Sequence, residues 1–109
     1  MSKREDTAII QDMKEAIDRI MSYTSGMEYD SFLQDNKTQD AVIRNIEILG
    51  EASKSLSNET REKYPHIPWK DIAGTRDKLI HDYFGVNIDI VWDIVKNEIP
   101  TLSAQLKDI

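Results

Sequence analysis

Gln39-Asp40-Ala41-Val42-Ile43-Arg44-Asn45-Ile46-Glu47-Ile48-Leu49-Gly50-Glu51-Ala52-Ser53-Lys54-Ser55-Leu56 reads as one long amphipathic helix. Val42, Ile46, Leu49, Ala52 and Leu56 recur at three- and four-residue steps, the period of a helix face packed on a core. Gly50 sits inside this helix, where glycine costs about 1 kcal/mol relative to alanine. Close approach of a second helix is the use it suggests.

Upstream, Ile9, Ile10, Met13, Ala16, Ile17, Ile20 and Met21 repeat the same period. Asp6 or Thr7 is the expected cap of that helix, and Ser25-Gly26 its end. Tyr29, Phe32 and Leu33 predict a turn or two of helix after Asp30, and Asp35–Thr38 a loop and cap. Downstream, Ser57-Asn58 can cap a short helix that runs through Tyr64 and stops at Pro65. Pro68 suits the first turn of the next helix, which is expected to end near Phe84-Gly85. Asn87 or Asp89 can cap the last helix, with Val91, Ile94, Val95, Leu102 and Leu106 inward and a kink or break near Asn97–Ile99 ahead of Pro100. No alternating strand pattern of any length occurs. The expected fold is all-α, an up-and-down bundle of about five helices with short connections.

The 109 residues suffice for a single domain, 1–109. The chain has no cysteine, which removes disulfides and thiolate metal sites and suits a reducing cytoplasm. Its charged start is followed by no long apolar run, so a soluble cytoplasmic protein is expected. A formal net charge of −6 argues against bulk electrostatic binding of nucleic acid. The charge is uneven: residues 1–36 hold four basic and eight acidic residues, whereas 61–82 hold five basic and four acidic.

That least acidic region contains Arg76-Asp77-Lys78-Leu79-Ile80-His81-Asp82-Tyr83, with one of the chain's two histidines. At about 100° per residue, Trp69, Ile72, Ala73, Leu79, Ile80, Tyr83 and Phe84 form one apolar stripe with Arg76 in its middle. A guanidinium there needs a carboxylate, a bound anion or a wet cleft. His81 lies roughly 140° away around an ideal helix. Asp77, four residues before it, could orient the imidazole, and Gly74 leaves open surface beside the ring. Arginine with histidine suits metal-free RNA cleavage: the histidine exchanges protons and the arginine holds the phosphate. On the residues alone the alternative stays open that Asp77–His81 is a surface pair and Arg76 part of an ion pair at the core's edge. Similarly, Tyr83 could be a core or interface tyrosine. His66, between Pro65 and Ile67, reads as a solvated loop histidine, and no metal-ligand spacing joins it to His81.

Arg76-x-x-x-x-His81-x-Tyr83 resembles the R-x-x-x-x-H-x-Y signature of HepT-like toxins in the HEPN superfamily. The flanks Ala41–Ala52, Ile67–Gly74, Asp82–Val86 and Val91-Trp92 are similar as well, so the likeness spans nearly the whole chain. The resemblance implies a metal-independent endoribonuclease without a cofactor, acting on RNA as a homodimer whose motifs line an interface cleft. Arg76 and His81 become the catalytic pair under it, with Asp77 supporting where the family often has asparagine. It also implies a minimal nucleotidyltransferase antitoxin that silences the toxin by transferring AMP to Tyr83. The alternative within the superfamily is a non-catalytic adaptor that binds nucleotide or the transferase.

Overall fold

The computed structural model of the chain describes residues 3–80 and 87–109, and the side chains of all of these except Lys3, Arg4, Arg76, Lys78 and Ile80. Every regular element among them is helical: α1 (Lys3–Thr24), α2 (Tyr29–Leu33), α3 (Asn36–Ser55), α4 (Asn58–Lys63), α5 (Trp69–Ile80), α6 (Ile88–Asp93) and α7 (Ile99–Leu106). A π-helical turn, Ile94–Glu98, joins α6 to α7, so these two are halves of one continuous run. The expected all-α bundle is therefore correct in class, with seven helical segments where about five were expected. No described helix is long and apolar enough to cross a membrane.

The core lies where the apolar periods of α1, α3, α5 and the last run meet. Met13, Ile17 and Ile20 of α1, Val42 and Ile46 of α3, Leu79 of α5, Val91 of α6 and Leu106 of α7 are essentially inaccessible. Neighbouring long helices run antiparallel, as three pairs of marker contacts show. Asp6 near the start of α1 meets Ser57 just beyond α3. Ser53 Oγ near the end of α3 donates to the carbonyl of Trp69 at the start of α5 (3.2 Å). Gln105 Nε2 in α7 donates to His66 O just before α5 (3.4 Å).

Local chemistry fixes most helix ends. Gly26 adopts φ 74°, the left-handed conformation that closes a helix at little steric cost. Asp35 accepts the Thr38 N–H (3.0 Å) and hydroxyl (2.7 Å), so α3 begins at Asn36, and the expected loop at 36–38 is its first turn. Gln39 Nε2 donates to Phe32 O (2.8 Å) and Leu33 O (3.0 Å), tying α2 to the same corner. Ser57 caps α4 and Asn87 caps α6, both as expected. Pro68 precedes the first residue of α5, and its carbonyl accepts the Ile72 N–H (3.0 Å).

Two expectations change. Helix α1 starts at Lys3, so neither Asp6 nor Thr7 is its cap. Asp6 instead lies buried in the second turn, accepting the Ser57 hydroxyl, the Ser57 N–H (3.3 Å) and the Thr60 hydroxyl (2.5 Å). It latches α1 to the start of α4. The second change concerns Pro100. The expected kink or break near Asn97–Ile99 takes the form of a π turn over Ile94–Glu98, in which the Ile99 N–H bonds to Ile94 O, five residues back, and the helix continues. Proline lacks the N–H of the normal ladder and crowds the carbonyl four residues before it, and the π turn makes room for both defects without ending the helix.

Candidate functional site

Helix α5 carries the motif's arginine. Among its described side chains, Trp69, Ile72, Thr75 and Leu79 are buried, Ala73 and Gly74 are half-buried, and Lys70, Asp71 and Asp77 are exposed. Of the expected stripe, Trp69, Ile72 and Leu79 are buried and Ala73 is half-buried, while the Ile80 side chain, Tyr83 and Phe84 lie outside what is described. Thr75 takes a buried place that periodicity had not assigned to it. Its hydroxyl donates to Asp71 O one turn back (2.8 Å), so the polar atom is satisfied within the helix and the methyl can pack inward. Among the described side chains the buried arc extends to Thr75, and the Arg76 position falls about 45° from its centre on an ideal helix. Among the described site residues, Asp77 is exposed and Arg76 is placed by its backbone. His81 and Tyr83 lie in 81–86, outside the described residues, together with the expected end of the helix at Phe84-Gly85.

The surface beside α5 at Gly74 is open: a Cβ built there would meet nothing within 4 Å. An open pocket of about 180 Å³ lies between α5 and the last helical run, lined by Ile72 and Thr75, by Ile94, Ile99 and Leu102, and by Leu49 of α3. The π turn forms one wall of this pocket. A second cluster lies where α2 meets α6. The Trp92 ring contacts Phe32 (centroids 5.0 Å) and Tyr29 (6.3 Å), and the Lys96 ammonium lies 5.0 Å from the Trp92 ring centre. Tyr29 donates its hydroxyl to Asp89, and that hydrogen bond raises the phenol above its ordinary value.

Sequence reasoning missed Asn45. It sits on the inward side of α3 between Val42 and Leu49 and is 95% buried by its 5% exposure. Its Nδ2 donates to Ala41 O (2.9 Å), whereas Oδ1 has no hydrogen-bond partner among the described residues. A polar residue at an inward position of an apolar period was the available signal. No group of three or more His, Asp or Glu among the described residues is placed to hold a metal ion.

The sequence pattern of the family described as Ribonuclease HepT-like matches residues 13–109. The chain belongs to the HepT-like ribonuclease family. Among its relatives, a Thermococcus cleftensis protein named "Probable ribonuclease HepT" is 44% identical over 98% of this chain and 97% of its own. A Methanocaldococcus jannaschii protein described as a "putative RNase" is 46% identical over the full chain and 90% of its own length. Another from that organism, described as "gamma-glutamylcyclotransferase and putative RNase", is 47% identical over 97% of this chain but only 48% of its own. No solved structure gives a significant match. In this HepT-like chain the family pattern covers α3, α5 and the whole motif stretch, so the likeness extends well beyond the six residues from Arg76 to His81.

Proposed function

We propose that this HepT-like chain is the toxin of a toxin–antitoxin pair, a metal-independent endoribonuclease acting in the cytoplasm as a single HEPN-like domain. The observation that carries the reading is the complete Arg76-x-x-x-x-His81-x-Tyr83 set inside a stretch that matches the HepT-like ribonuclease family. In the reaction His81 takes the proton of a ribose 2′-hydroxyl, whose oxygen attacks the adjacent phosphorus. The 5′-oxygen of the next nucleotide leaves, taking up a proton from the His81 imidazolium or from water, with a 2′,3′-cyclic phosphate remaining. A positioned proton-transfer group contributes about 10²- to 10⁴-fold. Arg76 donates its paired N–H groups to the non-bridging oxygens, where negative charge grows. Asp77 supports the imidazole.

On an ideal helix Arg76 and His81 would fall roughly 140° apart, so we place the site in a homodimer, with Arg76 of one chain close to His81 of the other. The partner is a minimal nucleotidyltransferase antitoxin that moves AMP onto the Tyr83 hydroxyl. The adenylate's phosphate then occupies the place, and the charge complement, of the RNA phosphate beside Arg76. The deciding experiment incubates the purified chain with RNA in excess chelator. The wild type is expected to cut and His81→Ala not to cut; equal cutting by both, or none by either, overturns the reading. A mass gain of one or more adenylates after co-expression with the transferase, absent in Tyr83→Phe, tests the silencing step.

A further inference from the structure

We propose that the corner where α2 meets α6 is a docking surface for a partner protein that offers an apolar segment flanked by lysines and arginines. The large hydrophobic side chains exposed among the described residues are confined to this part of the chain. They are Met21 and Tyr23 in the last turn of α1, Tyr29 and Leu33 on α2, and Ile90 on α6. Tyr29 is 37% exposed, Leu33 45% and Ile90 36%. Tyr29 and Leu33 are four residues apart and share a side of α2. The Tyr29 hydroxyl donates to Asp89, the neighbour of Ile90, and its ring meets that of the half-buried Trp92 (centroids 6.3 Å). Phe32 is fully buried against Trp92 (5.0 Å), so the exposed side chains stand on elements already fixed to the core. A partner can cover such a patch with little further ordering of this chain.

The charges around the patch choose its occupant. With their caps, α2 and α6 span 28–34 and 87–94 and carry four carboxylates, Glu28, Asp30, Asp89 and Asp93, but no lysine or arginine. All four are exposed. Asp89 is met by the Tyr29 hydroxyl and Asp93 by the Asn97 amide (2.6 Å), neutral donors that leave both charges in place. Lys96 lies over the Trp92 ring at 5.0 Å, so the corner is acidic on balance. Carboxylates in this excess repel the phosphates of RNA and of an anionic lipid surface. They also disfavour a second copy of this chain, because a two-fold contact sets the corner against itself, carboxylate against carboxylate. A protein segment with an apolar centre and a basic rim meets both halves of the surface. Its apolar side chains cover Leu33, Ile90 and the open side of Tyr29, and its cations face the carboxylates. None of these residues belongs to the motif Arg76–Tyr83, so the docking surface stands whether or not the chain cuts RNA.

The test uses the purified full chain and two fluorescein-labelled helical peptides, read by fluorescence anisotropy. Both peptides carry leucines along one face; one has lysines on its flanks and the other glutamates at the same positions. The lysine peptide is expected to bind saturably, and the glutamate peptide on the order of tenfold more weakly or not at all. Leu33→Ser combined with Ile90→Ser, both at exposed positions, is expected to weaken the lysine peptide on the order of tenfold. Asp30→Asn combined with Asp93→Asn is expected to weaken it several-fold and serves also if the serine variant fails to fold. Asp12→Asn combined with Glu15→Gln removes as much charge from the exposed side of α1 and is expected to change binding by less than about twofold. Equal losses from the α1 pair and the corner pair mean general charge attraction and overturn the proposal, as does unchanged binding in the serine variant. Single-stranded RNA or phosphatidylglycerol vesicles that bind more tightly than the lysine peptide, and lose that binding in the serine variant, also overturn it. So does a dimer that becomes a monomer in the serine variant by sedimentation, since the corner is then an interface between copies.

Discussion

Two buried polar side chains on neighbouring helices, Asp6 of α1 and Asn45 of α3, are treated in opposite ways. Asp6 accepts from two hydroxyls and a backbone N–H, all from the turn that starts α4. Asn45 uses its donor within α3 and leaves its acceptor without a partner among the described residues. The first arrangement closes every polar account locally and serves the fold. The second leaves a buried acceptor unmatched on the inward face of α3, an arrangement that costs stability where the first supplies it. Substitutions at the α1–α4 latch should therefore move stability with activity per folded molecule intact, and substitutions along α5 should do the reverse.

The sharpest break of that comparison is Arg76→Ala. It is expected to lower RNA cleavage on the order of 10²- to 10³-fold, the usual loss on removing a donor to transition-state charge, with little change in urea midpoint. A large drop in stability instead would make Arg76 part of the scaffold. On the latch side, Asp6→Ala strands the Ser57 and Thr60 donors. A cost of about 1–3 kcal/mol is expected by urea unfolding, with cleavage per folded molecule unchanged.

Acid sharpens the same contrast. The Ser57 hydroxyl first, then that of Thr60, holds the Asp6 carboxyl below its ordinary value of 3.8. The Asp35 carboxyl is likewise lowered, by the Thr38 N–H first and then its hydroxyl. A group whose folded pKa is depressed contributes stability above its unfolded pKa, and that contribution is lost as pH falls through the folded value. Unfolding midpoints are therefore expected to begin falling near pH 4 and to continue below it, with a shallower slope in Asp6→Ala. The smallest effect expected is at Gly74→Ala. Open space and helical backbone should give a gain of up to about 1 kcal/mol in stability. A fall in cleavage there would mean that RNA occupies the open surface.

Much of the fold was legible because its signals are local. Gly26, Ser57 and Asn87 terminate or cap helices through their own backbone and side-chain chemistry, and each does so where expected. Asp6 was misread because an aspartate before an apolar period has the same local signature whether it caps its own helix or reaches 51 residues ahead to Ser57. Thr75 escaped because a threonine counts as polar until its hydroxyl is seen to be satisfied by Asp71 O. The site divides in the same way. Arg76, His81 and Tyr83 were found through their spacing and its resemblance to a family motif. Asn45 was not, since an asparagine inside an apolar period has the same local signature whether its amide is fully paired or not.

The turn at Ile94–Glu98 amounts to one surplus residue spliced into an otherwise regular helix, and it sets the phase of everything after it. Removing a single residue there would let the α-helical ladder run through and turn Ile99, Leu102 and Leu106 by about 100° relative to α6. All three are buried now, and one wall of the pocket beside α5 would turn with them. The last helix can thus accept substitutions along its length more readily than any change in its count.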